Sequence, residues 1–146
     1  MLEDLARGAE KGIPLDPGKL KDLSARVKKQ VQRANDIVVN MRRFAGSIER
    51  PAQKVDLIES LDLMCALSAR SAALLGKQLA PELPSESVEI FTVPTLLNQA
   101  IWMCIEDALQ AAGESPILAP ALEPGRGSAK IIFKPLKNLP DAAGAM

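Results

Sequence analysis

The sequence predicts an α+β protein: a helical hairpin or bundle followed by a reduced α/β sandwich. Three observations carry this. Apolar residues recur every seven positions from Leu20 to Ala45. Two shorter amphipathic stretches follow, each next to short runs with strand character. The 11 prolines fall where these elements are expected to begin or end.

Residues 2–11 read as a short helical fragment, broken at Gly12-Ile13-Pro14. Asp16-Pro17 then reads as an N-cap followed by proline at the first helical position. From there Leu20, Val27, Ala34 and Met41 form one heptad-spaced row, and Ser24, Val31, Val38 and Ala45 form another. Leu23, Ile37 and Phe44 widen the stripe beyond what a two-helix seam requires. The helix is expected to stop near Gly46. Such a stripe cannot bury itself, so it predicts a homodimer built as a four-helix arrangement, with Leu20, Val27, Val31, Ala34, Val38 and Met41 in the seam.

A second helix is expected from Asp56, where Asp56 and Glu59 stand at the spacing of a capping box. Its apolar face is Leu57, Leu61, Met64 and Leu67 or Ser68, and Leu74-Leu75-Gly76 reads as its end. Strand candidates follow around Gln78–Glu82 and Val88–Val93, separated by Pro84-Ser85. Pro94 opens a third helix that runs to about Ala112 and closes at Gly113. Pro116–Leu122 and Ala129–Leu136 flank Pro124-Gly125-Arg126-Gly127, which predicts a hairpin. The tail Pro140–Met146 is small and flexible in composition. This map divides the chain into a dimerisation segment, 1–50, and a second domain, 51–146.

Composition excludes several kinds of chemistry. The chain has no histidine, so it offers no phosphohistidine, no Ser-His or Cys-His pair and no imidazole metal ligand. It has no tyrosine, one tryptophan and three phenylalanines, too few for stacking on bases. Net charge is zero, which argues against a bulk nucleic-acid or anionic-membrane binder. The charge is uneven: residues 51–123 carry three Lys or Arg against ten Asp or Glu, while the flanking segments are basic. Cys65 and Cys104 lie in apolar helical patterns without metal-ligand spacing and are expected to be buried free thiols. No apolar run approaches a membrane span, and the N-terminus lacks signal-peptide character, so a cytoplasmic protein is expected.

Three stretches resemble sensor histidine kinases. Gln32-Arg33-Ala34-Asn35-Asp36-Ile37-Val38-Val39-Asn40-Met41-Arg42-Arg43-Phe44-Ala45 is similar to the second helix of that family's dimerisation hairpin. Val55-Asp56-Leu57-Ile58-Glu59-Ser60-Leu61 resembles the first helix of its ATP-binding domain, after a short leading strand. Leu97 to Gly113, containing Cys104-Ile105-Glu106-Asp107-Ala108, resembles the helix that carries the family's N-box. The resemblance implies that the second domain is a truncated histidine kinase-type ATP-binding sandwich.

The departures from the family are informative. Asp107 stands where the family has its Mg²⁺-binding asparagine, and Met103 stands four residues earlier in place of a polar residue. The stretch Asn138–Gly144 is a poor echo of the family's Asp-x-Gly-x-Gly turn, with only Asp141 and Gly144 in place. Only Leu2–Lys11 is left to represent the first hairpin helix, and the phosphoacceptor is missing. The expectation is a complete, shortened gene product: a non-catalytic two-component signalling module without a cofactor, engaging a histidine kinase or response regulator. The alternative is a pseudokinase that holds nucleotide or Mg²⁺ weakly through Asp107. A small enzyme using Glu106 and Asp107 lacks a convincing nucleophile, and adjacent helix positions point about 100° apart.

Other features take plainer readings. Arg33, Arg42 and Arg43 read as a solvated basic face, with contact to a receiver domain as the alternative. Trp102 and Phe91 are expected in the core. Gly125-Arg126-Gly127 reads as a turn and not a phosphate loop, because no helix follows it.

Overall fold

The computed structural model describes residues 16–138. The fragment 2–11, the expected Asp141/Gly144 echo and the tail Pro140–Met146 lie outside the described residues. The elements are α1 (Pro17–Ala45), β1 (Gln53–Asp56), α2 (Leu57–Leu74), β2 (Gln78–Leu79), β3 (Glu89–Thr92), α3 (Pro94–Ala111), β4 (Ile117–Gly125) and β5 (Ser128–Leu136). The α+β class stands as predicted. Two compact units divide the chain, Met1–Val39 and Asn40–Met146.

Helix α1 starts as its sequence dictates. The Gly18 N–H donates to Asp16 Oδ1 at 2.8 Å, which satisfies one of the donors that a helix start leaves free. Along the helix, Gln32 Nε2 donates to Asp36 Oδ1 at 2.8 Å, an i,i+4 pair on the solvent side. None of its residues is buried. Of the expected helical hairpin, α1 is the arm that falls among the described residues.

In the second unit, β1 pairs antiparallel with β3, placing Val55 opposite Ile90. A three-stranded sheet has the order β2-β4-β5, with β2 parallel and β5 antiparallel to β4. The hairpin turns through Arg126 and Gly127, since Gly125 pairs with Ser128, and Gly127 supplies the positive φ of 73°.

Strand β2 is shorter than the expected Gln78–Glu82, and the reason is chemical. Ala80 N–H donates to Leu118 O, Glu82 N–H donates to Pro120 O, and Leu122 N–H donates to Glu82 O. The rung from residue 120 back to Ala80 is missing because proline has no N–H. The ladder therefore breaks into a two-residue strand and a lone bridge between Glu82 and Ala121. Pro120 thus lies in the middle of a strand and not at an element end, which corrects that part of the expectation.

The core forms where α2 and α3 pack together on the larger sheet. Leu57, Leu61, Met64 and Ala72 of α2 meet Ile101, Ile105 and Leu109 of α3 and Leu118 and Leu122 of β4. Leu61, Ile105 and Leu109 are completely buried. Each such side chain stabilises the fold by about 1.5–3 kcal/mol through removal of apolar area from water. Asp56 caps α2, accepting from the Ile58 N–H at 2.8 Å. Gly76 ends it at φ 68°, with the Lys77 N–H reaching back to Ala72 O. Pro94 opens α3, and Gly113 follows it at φ 56°.

Candidate functional site

Three features of the described residues invite a functional reading: the α1 stripe, the outward side of α3 and a polar cluster where the last turn of α1 meets α3.

The α1 stripe is open. Val31 is 63% and Met41 60% exposed; Leu20, Val27, Ala34 and Val38 are also exposed. An open groove of about 610 Å³ runs beside Leu20, Leu23, Val27 and Val31. The helix carries eight Lys or Arg against two Asp, so the stripe is bordered by cations. Phe44, counted on this stripe in the sequence, instead packs partly against the core of the second unit. Soluble monomers rarely leave a contiguous apolar surface of this length open to water.

Helix α3 has two sides of different character. Pro94, Asn98, Ile101, Ile105 and Leu109 face inward. Leu96 (61% exposed), Met103 (62%) and Trp102 (49%) face outward, together with Ala100, Cys104 and Asp107. Phe91 of β3 is 74% exposed. The expectation that Trp102 and Phe91 lie in the core is therefore corrected, as is that of a buried Cys104. Ile101-Trp102-Met103-Cys104-Ile105 is an unbroken apolar run, so its composition cannot say which members turn inward; only the helical angle from the buried Ile101 and Ile105 does.

Asp107 stands on this outward side. Glu106 is half-buried, and its Oε1 has no hydrogen-bond partner among the described residues. No group of three His, Cys, Asp or Glu side chains converges among the described residues. Asp107 is thus a lone exposed carboxylate among the described residues, and Mg²⁺, which is commonly bound through one or two carboxylates with waters and substrate phosphates, would take its remaining ligands from elsewhere.

The two thiols differ. Cys65 is buried in the core, and its thiol is pushed up to about 12 by burial and by the nearby Asp62. Cys104 is free and exposed.

The polar cluster was not anticipated. Ser47 is buried; its Oγ donates to Phe44 O at 2.7 Å and accepts from Asn98 Nδ2 at 3.3 Å. Thr95 Oγ1 donates to Ser47 O at 2.6 Å. The start of α3 is thereby clasped to the chain just past the end of α1. Asn98 Oδ1 has no hydrogen-bond partner among the described residues. The only sequence signal was a polar residue on the row that continues through Ile101 and Ile105. Arg43, Arg50, Glu59 and Asn98 border an adjoining depression of about 270 Å³. Asp56 also borders it. Burial works to raise its carboxyl, but hydrogen bonds from Ser87 Oγ and from the N–H groups of Ile58, Val88 and Glu59 outweigh burial and hold it below its ordinary value. Arg33 and Arg42 are exposed on α1.

Among the described residues no helix is long and apolar enough to cross a membrane. No protein-family model matches the chain, and no curated protein matches it. Among solved structures, the chain is similar to the histidine kinase ThkA, solved in complex with the response regulator protein TrrA. The TM-score is 0.45 and the identity 19%, over 79% of this chain and 34% of that one. The chain thus spans about a third of the length of that structure.

Proposed function

We propose that this protein is a non-catalytic module of two-component signalling, which dimerises through the α1 stripe and engages a histidine kinase or response regulator. The observation that carries the reading is the 29-residue α1 with heptad-spaced apolar rows and no buried residue. Such a surface is stable in water when a second surface covers it. The signalling assignment rests on the three sequence stretches that resemble sensor histidine kinases. The non-catalytic assignment rests on the absence of histidine and on the lone Asp107.

Two measurements test the reading. Sedimentation equilibrium of the purified chain should give a dimer, and a compact monomer at high micromolar concentration would overturn the first half. Incubation with labelled ATP should leave the chain unlabelled. Saturable nucleotide binding that is lost in Asp107→Ala would replace the reading with a pseudokinase.

A further inference from the structure

We infer that the depression of about 270 Å³ in the second unit binds a small zwitterion, an α-amino acid with an apolar side chain. The inference does not depend on the dimer proposed above, because every residue that borders the depression lies between Arg43 and Asn98, within the second unit.

The first argument is a buried amide. Asn98 is 3% exposed and borders the depression. Ser47 Oγ gives its proton to Phe44 O, so toward Asn98 it can only accept. That fixes Nδ2 as the group facing Ser47 and leaves Oδ1 in need of a donor that no described residue supplies. A buried acceptor without a donor is costly, and it marks a place for a ligand or a water. The hydrogen bond that holds the amide is long, at 3.3 Å, so Oδ1 can turn to meet an entering N–H group.

The second argument is charge. Arg43, Arg50 and Glu59 are exposed on the same border. Lys54–Glu89 and Lys134–Glu82 close to 3.0 and 3.3 Å, yet none of these three has an ion-pair partner among the described residues. Guanidinium groups match a carboxylate in a bidentate way. Pro94 also borders the depression, and α3 begins there without a side-chain cap, which favours negative charge. A bare anion would meet Asp56 and Glu59 on this border as well. An α-ammonium beside the carboxylate removes that conflict: it faces Glu59 and gives Asn98 Oδ1 its donor. Asp56 takes no direct part, since its Oδ1 and Oδ2 already accept from the Ile58 N–H and Ser87 Oγ.

The third argument is size and wall. Val55, Leu63 and Pro94 supply an apolar wall for a side chain. The volume lies below the roughly 300–1,000 Å³ of sites that take drug-sized ligands, which suits a molecule as small as a free amino acid.

Calorimetric titration of the purified full chain with L-valine, up to millimolar concentration, tests this. Saturable binding is expected. N-acetyl-L-valine lacks the ammonium and L-valinamide lacks the carboxylate, so each should bind at least about tenfold more weakly. Arg43→Gln and Glu59→Gln change exposed side chains, so the thermal melt should be unmoved while L-valine binding falls by a similar factor. Absence of saturable L-valine binding overturns the inference. Binding that both substitutions leave unchanged also overturns it, because the ligand then sits elsewhere. N-acetyl-L-valine or inorganic phosphate binding as tightly as L-valine reduces the depression to a simple anion site and overturns the zwitterion assignment.

Discussion

Helices α1 and α3 both draw on Leu, Ile, Met and Ala, and fare differently. Helix α3 buries five of its 18 residues within its own chain, and α1 buries none of 29. The seven-residue spacing is present in both, so periodicity tells that a stripe exists without telling what covers it. Charge separates them more usefully. Helix α3 has no cation and sits on a core; α1 is dense in Lys and Arg, the long side chains that keep an uncovered helix soluble.

The sharpest way to break this comparison is to cut one side chain in each region back to alanine. Leu61→Ala leaves a cavity in the core and should cost about 2–5 kcal/mol in urea unfolding. Val27→Ala, in the exposed stripe, should change the unfolding of the isolated monomer by no more than about 0.5 kcal/mol. Equal losses would mean that α1 is packed in the monomer after all.

Next in size is Val31→Glu. A carboxylate buried in a seam without a partner is costly, and we expect dimerisation to weaken by at least about tenfold, or ~1.4 kcal/mol. Lys29→Glu, two positions away on the solvent side, should leave the sedimentation profile unchanged. If both variants dissociate alike, the stripe is not the seam.

Asp56→Ala removes the α2 cap and should cost about 1 kcal/mol. The change has a pH signature. The folded carboxyl is held below its ordinary value, so its stabilisation is present above that value of 3.8 and is lost as pH falls through the lower folded value. Asp56→Asn keeps the cap and should flatten this acid limb. An unaltered limb would assign it to other carboxylates.

The smallest effect is kinetic. A maleimide at pH 7 should label Cys104 within minutes and leave Cys65 untouched until the chain unfolds. Labelling of both at one rate would place α2 outside the core.

Most of the fold was readable from the residues. Asp16-Pro17, Asp56, Pro94, Gly76 and Gly113 mark helix ends by local chemistry, and the helices begin and end there. Strand β1 was visible only through the family resemblance, because Gln53–Asp56 is too short to show an alternation of its own. The early end of β2 depends on Pro120, some forty residues away, and so lies beyond any local rule. The candidate site was less readable. The stripe residues are where their spacing put them, but the exposure of Trp102, Cys104 and Phe91 is set by which side the core occupies. The Ser47–Asn98 clasp joins residues 51 positions apart, and nothing in either neighbourhood announces it.

Strand β5 forms an outer edge of its sheet, nine residues long. A long bare edge ordinarily recruits further strands and seeds fibrous aggregates. Here Pro135 removes a donor and Lys130 and Lys134 place charges along the strand, so recruitment is poorly rewarded. Concentrated solutions should therefore yield closed, countable complexes in place of amyloid. A thioflavin assay at high concentration should stay dark in the native chain, and brighten first when Pro135→Val and Lys134→Val are combined.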